Sequence, residues 1–220
     1  MNADVKRQIT KRGDFVARRL AWPSMAFLAL GVSAYALSLL VLPNLRPPFI
    51  RERLTIMPSA VYVHLAAGAL AMAVGPFQFV ASLRARSLAL HRWMGRVYVA
   101  AVVPGGLSGL ALATVSQGGL PAHIGFGLLA CLWIVTSGAA YAAIRRGDVA
   151  GHRRWMTRSF ALTLAAVTLR IYLPLSLLSG VPFELAYPAI AWLCWVPNLV
   201  VAEWRFVGPL ARRRVAAAAV

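Results

Sequence analysis

Apolar runs of about 20 residues, long enough to cross a hydrocarbon core as helices, recur along this chain with short polar breaks between them. Six such runs cover residues 22–42, 59–80, 97–115, 122–144, 159–178 and 185–206. The pattern predicts an all-α integral membrane protein with six transmembrane helices. Short connections make successive helices antiparallel neighbours. Three regions follow: a basic N-terminal tail over 1–20, a six-helix transmembrane domain over 21–206, and a basic C-terminal tail over 207–220. The first 19 residues are basic and polar, without the apolar core of a cleavable signal peptide. The one long connection, 43–58, holds four prolines and is expected to be extended.

A repeat organises the runs further. His64 opens H-L-A-A-G and His123 opens H-I-G-F-G, while His91 opens H-R-W-M-G-R and His152 opens H-R-R-W-M-T-R. The second and third helices therefore resemble the fourth and fifth. Each unit crosses twice, so both copies enter the membrane in the same sense, related by an axis along its normal. The expected architecture is a four-helix core of two parallel two-helix repeats, with the first and sixth helices flanking it. That symmetry predicts His64 facing His123 at equal depth near one surface, and His91 facing His152 near the other.

Composition agrees: 60% of the 220 residues are hydrophobic. The net charge of +17 would suggest nucleic acid in a soluble protein, but its distribution points elsewhere. Nineteen of the 23 Lys and Arg fall in the two tails, the second-to-third connection and the fourth-to-fifth connection. By the positive-inside rule both termini are cytoplasmic. The basic faces suit anionic lipid headgroups, and no soluble surface remains to present to nucleic acid. Trp22, Trp93, Trp155 and Trp204 fall near the inner interface and Tyr62, Tyr172 and Tyr187 near the outer one, as amphipathic rings do. Cys131 and Cys194 lie mid-helix and read as small apolar side chains.

The four histidines are the main candidates for chemistry. Two imidazoles facing each other across a helical core can ligate haem iron at both axial positions. The expected haem-iron ligands are His64 with His123 and His91 with His152, holding one or two b-type haems. Gly68 and Gly127 lie one turn after His64 and His123 on the same face. They leave room for a ring or let helices approach closely. Arg170, a charge within the fifth helix, needs a partner; Glu184 and a haem propionate are the two candidates. Glu203 and Asn198 can support His152 or pair with connection arginines, the latter being expected. The stretch Gly75–Phe79, G-P-F-Q-F, should break the second helix. Its Gln78 could meet a polar head group, though a structural kink is the simpler reading. Pro104 with Gly105-Gly106, Pro174 and Pro197 invite further kinks.

Taken together, G-P-F-Q-F, H-R-W-M-G-R-V-Y from His91, H-R-R-W-M-T-R-S-F-A-L-T from His152, T-L-R-I-Y-L-P from Thr168 and W-V-P-N-L from Trp195 resemble a bacterial membrane family, domain of unknown function 2306. The resemblance runs from Ser59 to Glu203 and implies a bacterial inner-membrane location; it brings no activity. The placement of one histidine on each of four successive helices is also similar to the cytochrome b561 type of di-haem carrier. That similarity implies one haem between the second and fourth helices and one between the third and fifth. Here His91 and His152 stand at helix entrances among arginines, which departs from that scheme.

The function expected on these grounds is transmembrane electron transfer through bis-histidine haem, with quinone or another redox partner. The alternatives are a cofactor-free protein that binds or transports a solute, quinone or lipid, and a structural accessory subunit. No nucleophile–histidine–acid set, phosphate loop or carboxylate pair points to hydrolysis.

Overall fold

Proline placement, more than hydropathy, decides where these helices begin. The computed structural model describes the backbone of residues 3–208 and the side chains of residues 20–208. The tail cations before Leu20 and the arginines at 212–214 therefore lie outside the described side chains. The helices are α1 (Ala3–Val41), α2 (Pro48–Ile56), α3 (Pro58–Val74), α4 (Ala81–Arg86), α5 (Leu88–Ala113), α6 (Gly119–Arg145), α7 (Val149–Thr163), α8 (Ala165–Leu178), α9 (Phe183–Leu193) and α10 (Val196–Ala202). No strand occurs among the described residues. Six helical segments are long and apolar enough to cross a membrane: Leu20–Val41, Pro58–Phe79, Leu88–Ala113, Gly119–Arg145, Val149–Leu178 and Phe183–Val207. The first lies in α1, the fifth joins α7 to α8, and the sixth joins α9 to α10 and a terminal π turn.

The connection expected to be extended is helical instead. Pro43 opens a 3-10 turn, Pro48 opens α2 and Pro58 opens α3. At a first helical position the missing N–H has no intrahelical partner anyway, and the fixed φ suits the helix. The third and fifth spans also begin nine and ten residues earlier than the apolar pattern indicates. Ser87 caps α5, accepting from Leu90 N, and Asp148 caps α7, accepting from Gly151 N. Capped this way, the polar H-R-W-M blocks extend the helices rather than forming loops. His91 and His152 each stand four residues after the cap, a local symmetry that matches the repeat.

We call the end carrying Trp22, His91 and His152 the tail end, and the end carrying Val41, Pro58, Gly119 and Leu178 the far end. α3 packs along α5, and α6 along α7, as two antiparallel hairpins joined through α5 and α6. α1 flanks α3, and α9 flanks α6. Small residues make the central seam. A Cβ at Gly105 would stand 3.2 Å from both Ala67 and the Trp133 ring, and one at Gly109 would stand 3.2 Å from the His64 ring. At Gly106 it would overlap Ile134. Close helix approach at small residues is how bundles pack in lipid. α5 passes Pro104 without interruption, and Ser108 Oγ donates to the Pro104 carbonyl at 2.7 Å.

G-P-F-Q-F does end α3, in a 3-10 turn over Pro76–Phe79. Trp22 Nε1 donates to the Pro76 carbonyl at 3.0 Å, tying α1 to this turn. The fifth span is broken at Leu164. Asn198 bridges the break, its amide donating to Thr168 Oγ1 at 2.9 Å and to the Ala161 carbonyl at 3.4 Å. α8 consequently leans on α9 and scarcely touches α3.

Candidate functional site

The two histidine pairs are arranged differently at the two ends. His64 Nδ1–H donates to the Gly105 carbonyl of α5 at 2.9 Å, which in the neutral ring leaves Nε2 as an acceptor. The ring packs against Gly109. His123 Nε2–H instead donates at 2.9 Å to the carbonyl of Ser116, beyond the end of α5. Seven residues separate Gly109 from Ser116, so the two rings differ in height by roughly 10 Å at the helical rise. The expectation that His64 and His123 face each other at equal depth is therefore corrected. Their helices enter the far end in different registers, and each ring satisfies a different backbone carbonyl. One iron needs both ligating nitrogens on either side of itself, and this geometry does not supply that pair.

At the tail end His152 of α7 lies within electrostatic reach of His91 of α5. α5 and α7 are joined further along by the Tyr98 hydroxyl, which lies within hydrogen-bond distance of Ser159 and Thr163. His152 Nδ1–H donates to the Ala140 carbonyl of α6 at 3.0 Å, leaving Nε2 free. His91 has no hydrogen-bond partner among the described residues. Arg84 and Arg92 lie within electrostatic reach of it. Gly95, one turn after His91, would place a Cβ 3.4 Å from Gln78 Oε1. The Gln78 side-chain Nε2 is buried without a partner. Such orphan donors are uncommon in native structures and ask for an explanation.

Arg170 does not pair with Glu184. The ion pairs among the described residues are Arg53–Glu52 and Arg158–Glu203. Arg170 Nη1 donates to the Ala166 carbonyl at 2.9 Å, and its guanidinium lies 5.4 Å from the Tyr35 ring centroid. Its Nε is buried and unpartnered. The α8 break and the position of Glu184 in the first turn of α9 give the acid no contact with it. Glu203 pairs with Arg158, as expected of a connection arginine, and Arg158 stacks 4.4 Å over Trp155. Cys194 is buried and Cys131 exposed, and both are free thiols.

Between the two ends lies a polar cluster that the sequence gives little reason to expect. Tyr98 Oη lies 2.6 Å from Thr163 Oγ1 and 2.8 Å from Ser159 Oγ. Ser159 Oγ lies 2.7 Å from Ser137 Oγ, and Ser137 donates to the Trp133 carbonyl at 2.8 Å. Trp133 Nε1–H donates back to Thr163 Oγ1 at 2.8 Å. The bonds can run in one direction, from Trp133 through Thr163, Tyr98, Ser159 and Ser137 to Trp133 again. Every member is buried and every donor is used, so the ring ties α5, α6 and α7 together rather than offering a free group. The spacing of Ser159 and Thr163, four apart on one helix face, was the one available signal.

Such a site layout belongs to a six-span helical membrane protein without a soluble module among its described residues. The chain belongs to a family of predicted membrane proteins, DUF2306, whose match covers residues 61–206. No curated protein and no solved structure matches it. The similarity to cytochrome b561 therefore rests on histidine placement alone.

Proposed function

We propose that this membrane protein is a b-type electron carrier of the bacterial cytoplasmic membrane, holding one haem between His91 and His152 at its tail end. The observation that supports the reading is that two imidazoles at equivalent positions of the repeat lie within electrostatic reach of each other. His152 is oriented by the Ala140 carbonyl, as a ligating imidazole is commonly held by a bond at its other nitrogen. Arg84 and Arg92 would face propionates. Haem supplies one-electron redox chemistry when bound. The chain would bind and orient it and exclude water around it. The basic connections support a cytoplasmic position for this end.

A second reading is cofactor-free binding of a quinone or other polar head group at the same end. It is supported by the orphan Gln78 amide, a donor beside the glycine one turn from His91. Absorption spectra of the purified protein, oxidised and reduced, separate the two. On the first reading the reduced protein shows a sharp alpha band, which His91→Ala and His152→Ala each remove and which His123→Ala leaves intact. A colourless protein from haem-replete cells refutes haem and leaves the second reading.

A further inference from the structure

Two arginines of this chain use the guanidinium differently, and the contrast identifies a site. Arg158 clamps the Glu203 carboxylate with its Nε and Nη2 edge, Nη2 donating at 3.0 Å and Nε bonding the other oxygen. Arg170 has committed only Nη1, to the Ala166 carbonyl. Its Nε–Nη2 edge, the same geometry that grips a carboxylate, has no partner among the described residues, and the Nε is buried. A charge within a span is costly, and such residues are almost always paired. Arg170 lies eight residues from the far end of α8, about 12 Å along the helix. No acid pairs with it among the described residues.

The surroundings of Arg170 are apolar: Ala29 of α1, Met72 of α3 and Val167 of α8 pack together beside it. One turn further toward the far end, Gly68 has nothing within 4 Å of where a Cβ would stand. α8 scarcely touches α3 there. Tyr35 covers one side of the guanidinium. His64, within electrostatic reach of Arg170, offers the acceptor left by its bond to Gly105.

We propose that the α3–α8 side of Arg170 binds the oxyanion of a membrane amphiphile, a carboxylate or a phosphate gripped by the unpartnered Nε–Nη2 edge, with the alkyl chain lying in the bilayer. A planar fork of two parallel N–H donors fits such groups. The depth of the site and the apolar exterior of the spans favour a ligand arriving laterally from lipid. His64 Nε2 would accept a hydrogen bond from a hydroxyl of the head group, such as the glycerol hydroxyl of a lysophosphatidate. The proposal is independent of haem at the tail end, because none of these residues contacts His91 or His152.

The test uses the full chain in mild detergent with three probes: oleate, oleoyl lysophosphatidic acid and the uncharged oleyl alcohol. Binding is read by saturation with radiolabelled probe and by the rise in thermal midpoint. The expected result is that wild type binds one or both anions at least tenfold more tightly than the alcohol. Oleate preference identifies a carboxylate, lysophosphatidate preference a phosphate. Arg170→Gln abolishes the preference while leaving the probe-free thermal midpoint equal or higher, since it removes an uncompensated buried cation. Arg170→Lys keeps the charge without the fork and loses at least threefold, and this variant decides the matter should Arg170→Gln not fold. Equal binding of all three probes by wild type overturns the proposal, as does a preference that survives in Arg170→Gln, or in Arg170→Lys at undiminished strength. The haem spectrum is unaffected in every arm.

Discussion

Thr163→Val tests the buried hydroxyl ring most sharply, because it removes one oxygen and almost no volume. Thr163 Oγ1 is the near acceptor for Trp133 Nε1–H, at 2.8 Å. With it gone, the indole N–H has only Tyr98 Oη, at 3.5 Å, at the limit of a hydrogen bond. A buried donor left this way costs about 1–3 kcal/mol. Tyr98→Phe behaves differently. The Thr163 hydroxyl falls back on the Ser159 carbonyl at 3.0 Å, Ser159 still donates to Ser137, and no donor is orphaned. That loss should be about 1 kcal/mol, in the range measured for single interhelical bonds in membranes. Reversible unfolding in mixed micelles, followed by tryptophan fluorescence, gives both numbers. Thr163→Val should be the more costly by about 1 kcal/mol or more. A Tyr98→Phe loss equal to or above that of Thr163→Val would refute the assigned direction of the bonds. A double variant of Tyr98→Phe with Ser137→Ala adds a second check, since the two side chains do not bond each other directly and are joined through Ser159 on one side and Trp133 and Thr163 on the other. Additive losses, within about 0.5 kcal/mol, would mean the ring does not act as a unit.

Gly75→Val should prevent stable folding, because even a Cβ there overlaps the Phe160 ring; Gly68→Ala, with nothing within 4 Å of the new atom, should leave the thermal midpoint of the probe-free protein unchanged, as checked by monodispersity after heating. Asn198→Leu should destabilise by about 1–3 kcal/mol, since it strips the Thr168 and Ala161 contacts at the break in the fifth span; hydrogen exchange at residues 164–168 should rise. Glu203→Gln should cost under about 1 kcal/mol, because the Arg158–Glu203 pair is only partly buried, and the loss should shrink in high salt.

The six spans were legible because apolar length alone marks a helix that must satisfy its backbone inside lipid. The starts of the third and fifth were not, since His91, Arg92 and His152–Arg154 read as loop until Ser87 and Asp148 are seen as caps. The prolines of 43–58 misled for a related reason: each helix-opening proline looks like a breaker until its first-turn position is known. The nearness of His91 to His152, within electrostatic reach, was to be expected from the repeat. The failure of His64 and His123 to meet was not, because a histidine's offset from its own helix end says nothing about how two helices slide past each other. Arg170 stood out as a charge in an apolar run, but only coordinates show which edge of it is free. The hydroxyl ring is built from singletons on three helices, each unremarkable in its own stretch.

The division of the fifth span between two sets of neighbours has a mechanical consequence. Its first half is bolted to α6 and α5 by the ring of hydroxyls, and its second half rides with α9. Bending of the fifth span should therefore concentrate at Leu164, where the Asn198 amide bridges from Ala161 to Thr168 across the interrupted helix.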